Sequence, residues 1–171
     1  SKVAAYLYNG AEYLETYFAG FKAGLAPVNT NYRYGPDELL YLFDNADAEA
    51  VVFHASFAAP LDAIRARLPK VKLWLAVAEP GHPIPDWAED YDAVVARPPT
   101  NQAFRAPWGR SPDDLLLLYT GGTTGMPKGV MWRQDDLFNV LGAGGHPLKG
   151  IAPITSVEAA AARIVPDAPI A

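Results

Sequence analysis

The 171-residue chain contains no cysteine. Disulfides, thiolate metal sites and a cysteine nucleophile are excluded at once. Basic charge is also scarce: 14 Lys and Arg stand against 19 Asp and Glu, for a net charge of −5. No block of Lys or Arg occurs, which argues against a nucleic-acid footprint and against a polybasic membrane anchor. No apolar run approaches the roughly 20 residues that a membrane span needs. No signal peptide is visible either, so a cytoplasmic location is expected. The three histidines, His54, His82 and His146, stand at unrelated positions. None has ligand spacing to another histidine or to a paired acid, so no metal site is read from them.

What is present suits a globular protein with a sizeable core. Half the residues are hydrophobic and 19% are charged, an ordinary balance for one domain of this length. The chain opens on "SKVAAYLYNG", already strand-like and without an initiator methionine. An internal piece of a longer protein is expected. Strand and helix patterns then alternate. Residues 2–8 read as a buried strand. A helix follows, with Ala11, Leu14, Phe18 and Phe21 at helical spacing, Asn9 as cap with Glu12 three residues on, and Gly24 as stop. Residues 25–29 form a short strand. A second helix begins at Pro36 with two acids in its first turn and an apolar stripe of Leu39, Leu40 and Phe43. Residues 48–55 are a continuous buried strand, and 59–68 a helix with Leu61, Ile64 and Leu68 inward. Residues 71–77 are a strand alternating at 71, 73, 75 and 77.

This order predicts an α/β fold built from βαβ units: a layered parallel sheet with helices on both faces. Residues 1–78 form that subregion. Residues 79–112 are a proline-rich excursion with one short helix near Trp87–Ala96. It is ordered, because Trp87, Tyr91, Phe104 and Trp108 need something to pack on. In 113–145 come a buried strand (113–120), a glycine-rich loop, a further strand (128–132) and a helix. Residues 146–171 are an incomplete tail with one helical stretch at 157–164.

The loop carries the chemistry. Between Thr120 and Gly129 lie four glycines, three threonines and a lysine. Gly121, Gly122 and Gly125 let backbone N–H groups converge without Cβ obstruction, the arrangement of an anion nest. Thr120, Thr123 and Thr124 add hydroxyl donors, and Lys128 adds a point charge able to reach a phosphate oxygen. The loop follows a strand end, the usual ligand position in an open α/β sheet. A Walker A loop is ruled out because Pro127 precedes the lysine, Gly129 follows it and the next residues read as a strand; G-x-G-x-x-G is ruled out because Gly121 and Gly122 are adjacent. Two readings stay open on chemistry alone: a polyphosphate cradle, or a plain Gly/Thr-rich hairpin between two strands.

"YTGGTTGMPKGV" (119–130) resembles the phosphate-loop signature of the adenylate-forming superfamily: acyl-CoA synthetases, luciferases and peptide-synthetase adenylation domains. Its usual form is Y-T-S-G-T-T-G-x-P-K-G-V, and this chain departs in having Gly121 where serine is commonest. "AGLAPVNTNYRYGPDELLYLFDNADAEAVVF" (23–53) resembles the segment upstream of that signature. "GVMWRQDDLF" is most similar to fatty-acyl-CoA synthetases of actinobacterial type. The resemblance implies part of the large N-terminal ATP-binding domain, with the C-terminal lid and its catalytic lysine absent from this chain. It implies ATP, Mg²⁺ and coenzyme A as co-substrates, and a carboxylic acid, a fatty acid first, as the group activated. It implies that Thr120, Gly121, Gly122, Thr123, Thr124 and Gly125 bind phosphate oxygens while Lys128 neutralises charge at the loop base. No general base is assigned, since a carboxylate is already nucleophilic. The fragment alone is expected to be inactive. Another adenylate-former, or a non-catalytic α/β module, are the alternatives. Arg133 is read first as a surface residue, with help to a phosphate as the alternative; Asp113–Asp114 are read first as a strand start and Asp135–Asp136 as a helix start, with a metal as the alternative.

Overall fold

The computed structural model describes residues 1–98, 106, 108–122, 125–143 and 145–163. Seven strands form one sheet: β1 (Lys2–Tyr6), β2 (Ala26–Asn29), β3 (Ala50–His54), β4 (Leu73–Val77), β5 (Glu89–Asp90), β6 (Leu115–Gly122) and β7 (Gly125–Arg133), in the order β5-β4-β3-β1-β2-β6-β7. The first six pair in parallel, and β7 returns antiparallel to β6. The expected parallel sheet is therefore mixed at one edge. The reason is connection length: Gly122 faces Gly125 across the strand pair, and so short a link can only reverse the chain, whereas parallel neighbours need a crossover.

Successive residues of each inner strand feed opposite cores, as a strand's period of two requires. Ala4, Tyr6, Val28, Val51, Phe53, Ala76, Leu117 and Tyr119 pack on one face, under α2 (Pro36–Asn45) and α3 (Ala58–Asp62). Val3, Ala5, Leu7, Val52, Leu75, Val77 and Leu116 pack on the other, under α1 (Ala11–Ala23). The run Leu115–Leu118 is continuous in sequence because both faces of β6 are covered, the usual signature of parallel strands. In α2, Pro36 starts the helix, and the Glu38 carboxylate accepts from the Gly35 N–H at 2.8 Å. Its buried residues are Leu39, Leu42 and Phe43, with Leu40 at the margin. Leu61, Ile64 and Leu68 are all buried as expected, although α3 is short and gives way to a 3-10 turn at Arg65–Arg67.

Three expectations need correction. The α1 stripe is rotated: Thr16, Tyr17 and Gly20 are buried, while Leu14 and Phe18 are 58% and 59% exposed. Gly20 is at the interface because Val3 and Pro27 press against it, with a Cβ there meeting Val3 Cγ1 at 3.0 Å. Asn9 does not cap this helix; Gly10 occupies that position with extended backbone and no side-chain cap. In β4, Leu73 is exposed and Leu75, Ala76 and Val77 are consecutively buried, so the alternation from 71 to 77 is not seen. That strand lies inside the sheet, where both faces are covered.

The proline-rich excursion adds the edge strand β5 and then α4 (Tyr91–Val95). Asp90 caps α4, accepting from the N–H groups of Asp92 and Ala93. Trp87 stacks on Phe53 at 5.5 Å and meets Trp74 edge-on at 5.7 Å. Tyr91 donates to Glu15 of α1 at 2.5 Å. Trp108 is 67% exposed, yet its indole covers the end of α1; Phe104 lies outside the described residues. Gly24 ends α1 in the left-handed region with φ of 69°. A Cβ there would lie 2.6 Å from Trp108 Nε1 and 2.8 Å from Ala106 Cβ. After β7 come α5 (Gln134–Phe138), a π-helical turn at Asn139–Ala143, and α6 (Val157–Ala161) capped by Ser156.

Gly24→Ala combines strain at positive φ with that collision, and a loss of about 1–3 kcal/mol is expected in urea unfolding. In the same assay Leu39→Ala should cost about 2–5 kcal/mol. Leu14→Ala should stay within about 0.5 kcal/mol; a core-sized loss there would restore the rejected α1 register.

Candidate phosphate-binding site

The sheet brings three strand ends together. Strand β1 ends at Tyr6, β2 at Asn29 and, beside it, β6 runs on to Gly122, all pointing the same way. Helix α1 leaves β1 over one face and α2 leaves β2 over the other. Such a divergence opens a crevice at the carboxyl ends of parallel strands. A cleft of about 430 Å³ lies there, lined by Asn9, Tyr13, Asn29, Thr30, Tyr34, Thr120 and Gly121 among others.

The glycine-rich loop is one wall of that cleft and is itself a hairpin. Thr120 faces Lys128, and Gly122 faces Gly125. Thr123 and Thr124 lie outside the described residues. Between these rungs the register shifts: Gly121 stands opposite Met126 and Pro127, a β-bulge. Pro127 is buried at that irregular point, where the ladder requires no N–H from it. Thr120, Gly121, Gly125 and Lys128 are exposed. Lys128 joins none of the ion pairs among the described residues. The two readings left open by the sequence are thus compatible in shape: the loop is a hairpin, with its bulge turned towards a cleft.

The base of the hairpin is fixed. The Tyr119 hydroxyl donates to Asn45 Oδ1 of α2 at 2.7 Å. Burial, with smaller effects of Tyr41 and Asp47, pushes the Tyr119 phenol above its ordinary range, so it remains a donor. Its phenol packs against Gly129, where a Cβ would sit 2.9 and 3.0 Å from two ring carbons and 3.2 Å from the hydroxyl oxygen. The glycine after the lysine is therefore a packing requirement, a reason that motif spacing alone does not reveal.

The opposite wall is the turn after β2. Tyr34 N–H donates to Asn31 O, and Arg33 N–H to Asn31 Oδ1, both at 3.0 Å. The buried Tyr6 hydroxyl, underneath, is directed at Tyr34 O and Tyr32 O at 3.3 and 3.4 Å. Burial, and then Tyr8, push the Tyr6 pKa up to about 12, which keeps it a donor. Two hydroxyls on this wall, Thr30 Oγ1 and Tyr34 Oη, have no hydrogen-bond partner among the described residues, although the residues are only 2% and 8% exposed. Sequence reasoning gave neither residue a role. The signal was the polar turn "NTNYRYG", which stands at a strand end and carries more polar side chains than a turn requires.

Comparison with known proteins decides the family. Residues 1–153 match the profile of the AMP-binding enzymes. The chain belongs to the AMP-binding enzyme family. It is 42% identical to medium-chain acyl-CoA ligase Mig of Mycobacterium avium over 158 residues, 90% of this chain and 27% of that protein. It is 39% identical to a 3-oxocholest-4-en-26-oate–CoA ligase of Rhodococcus rhodochrous, over 84% of this chain and 26% of that one. Among solved structures it is similar in fold to anthranilate CoA ligase AuaEII in complex with anthranoyl-AMP, with a TM-score of 0.73 and 23% identity over 85% of this chain and 27% of that one. The chain spans about a quarter of the length of these relatives.

Within this AMP-binding fold the remaining candidates fall into structural places. The Arg133 guanidinium contacts Asp113 at 2.7 Å and Asp136 at 3.3 Å. Asp114 accepts from the Ser111 N–H, and Asp135 and Asp136 lie in the first turn of α5. No group of three His, Cys, Asp or Glu able to hold a metal occurs among the described residues. His54 is buried and its Nδ1 accepts from the Tyr8 N–H at 3.2 Å, a packing role.

Gly129→Ala tests the hairpin base. The added methyl must displace a Tyr119 ring that is held by Asn45, and a loss of about 1–3 kcal/mol in thermal or urea unfolding is expected. The same methyl at Gly125, where nothing lies within 4 Å, should cost much less by the same measurement.

Proposed function

We propose that the protein carrying this chain is an ATP-dependent acid–thiol ligase, an acyl-CoA synthetase, and that this chain supplies the phosphate-binding part of its N-terminal ATP-binding domain. The observation that carries the reading is the bulged Gly/Thr hairpin standing at the carboxyl end of β6, against a cleft shared with β1 and β2. In the first step a carboxylate oxygen attacks the α-phosphorus of ATP. The bond to the β-phosphate oxygen breaks, giving an acyl-adenylate and pyrophosphate. In the second, the thiol of coenzyme A attacks the acyl carbon, loses its proton to solvent, and AMP departs with the electron pair.

This chain's residues act on the leaving pyrophosphate. The amides and hydroxyls of Thr120, Gly121, Gly122, Thr123, Thr124 and Gly125 hold phosphate oxygens, and Lys128 offsets charge at the hairpin base. The contribution is orientation together with electrostatic stabilisation of charge as it develops. No protein base is needed. The described residues offer Mg²⁺ no carboxylate cluster, so no residue of this chain is assigned to hold it; bound with ATP, the ion would offset phosphate charge. A fatty acid is the favoured substrate because the M. avium relative is named a medium-chain acyl-CoA ligase. The Rhodococcus relative's name keeps a sterol-derived acid as the second choice. The location proposed is cytoplasmic; no helix among the described residues is long and apolar enough to cross a membrane.

Carboxylate-dependent ATP–pyrophosphate exchange is the direct test. The full product of the gene should catalyse it with medium-chain fatty acids, and the 171-residue chain alone should not. Lys128→Ala in the full product should lower the rate by about a hundredfold to a thousandfold, the range for losing one charge-stabilising group. An unchanged rate would remove Lys128 from the mechanism.

A further inference from the structure

Two oddities of this chain coincide in space. The hairpin has Gly121 where the motif it resembles most often has serine, so one hydroxyl is missing from the cradle. Across the cleft, the Tyr34 hydroxyl is buried and has no partner among the described residues. The place a Cβ on Gly121 would occupy lies 3.8 Å from that hydroxyl. A buried hydroxyl without a partner costs stability, so a fold retains one where something else repays it. We infer that Tyr34 Oη stands in for the missing serine hydroxyl at position 121, donating to the phosphate group held by the hairpin.

The setting fits a donor that must stay in place before its ligand arrives. The turn 31–34 is closed by the bonds from Tyr34 N–H and Arg33 N–H to Asn31, and Tyr6 holds its carbonyls from below. A phenol on so fixed a backbone loses little freedom on binding. Burial, with Glu38 nearby, raises the Tyr34 pKa, so the O–H is present at neutral pH. Thr30, whose Oγ1 also has no partner among the described residues, lines the same cleft, which suits this wall to a polar ligand. The inference rests on the phosphate-binding reading above. It adds a residue from outside the motif and a reason why glycine is tolerated within it.

The test is a double-substitution cycle in the full product of the gene, read by calorimetric titration with inorganic pyrophosphate and by thermal melting. Tyr34→Phe should weaken pyrophosphate binding about tenfold, the value of a hydrogen bond to a charged group. It should leave the melting temperature equal or higher, because an unpaired buried hydroxyl has been removed. In a Gly121→Ser background, where the space and the backbone accept the side chain, the same Tyr34→Phe change should cost less than about threefold. Equal losses in the two backgrounds would overturn the substitution of one hydroxyl for the other. So would an unchanged affinity in Tyr34→Phe while Lys128→Ala still weakens binding, and that result would leave the phosphate reading intact. No binding of pyrophosphate by the unaltered protein would overturn both.

Discussion

The site depends on two rungs of parallel pairing, Val28 with Leu117 and Asn29 with Leu118. They join β2 to β6 across nearly ninety residues of intervening chain. They bring the turn after β2 and the hairpin after β6 to the same cleft. Strand β2 continues into Thr30 and the turn bearing Tyr34, and β6 continues into Thr120 and Gly121. Because the pairing is parallel, both strands deliver their carboxyl ends to the same rim. An antiparallel pair would have set the turn and the hairpin at opposite ends of the sheet. The contact is short, so the burial of Val28 and Leu117 in the core under α2 must hold it. The long insertion costs less than its length suggests, since closure entropy rises only with the logarithm of loop size.

Around this join the tyrosines divide the labour. Tyr6 and Tyr119 point into the core under α2 and spend their hydroxyls on structure: Tyr6 on the carbonyls of the 31–34 turn, Tyr119 on Asn45. Tyr34 and Thr30 keep theirs unspent, facing the cleft. Buried polar groups are satisfied in the great majority of native structures. The departures here sit at one wall of one cleft, with Ser56 the exception among the described residues. Rigid donors below and open donors above are what a preorganised anion site requires.

Much of this was legible in the sequence, for identifiable reasons. Pro36, the first-turn acids and Gly24 marked helix ends because each acts through local backbone geometry. The apolar runs at 50–54 and 115–118 marked doubly covered strands. The α1 register was not legible. Leu14 and Phe18 have the hydropathy of core residues, but the contact with β1 and Pro27 is so close that Gly20 occupies it, and hydropathy does not score a glycine as buried. Asn9 matched a capping pattern but lies one residue too early, and it lines the cleft instead. Strand β5 escaped notice because two acidic residues carry no strand period. Of the site, the hairpin residues could be read from composition and spacing. Tyr34 could not, since its relevance arises only from the long-range pairing of β2 with β6.

The hairpin also accounts for the loop's composition. A phosphate loop that runs into a helix draws on the helix dipole and on the free N–H groups of the first turn. Here the chain runs into β7, and strands contribute almost no net dipole. On the proposed phosphate-binding reading, the attraction for a polyanion comes from what the loop itself carries, in a chain with a net charge of −5. Of the acidic charge nearest in sequence, Arg133 offsets one unit, shared between Asp113 and Asp136. That leaves amides freed by the bulge, threonine hydroxyls, and a lysine outside every ion pair among the described residues. A strand-based cradle is therefore richer in hydroxyl donors than a helix-based one needs to be. It is also more sensitive to the loss of any one of them, and a buried phenol supplied from the neighbouring strand end is a physically consistent replacement for a serine missing at Gly121.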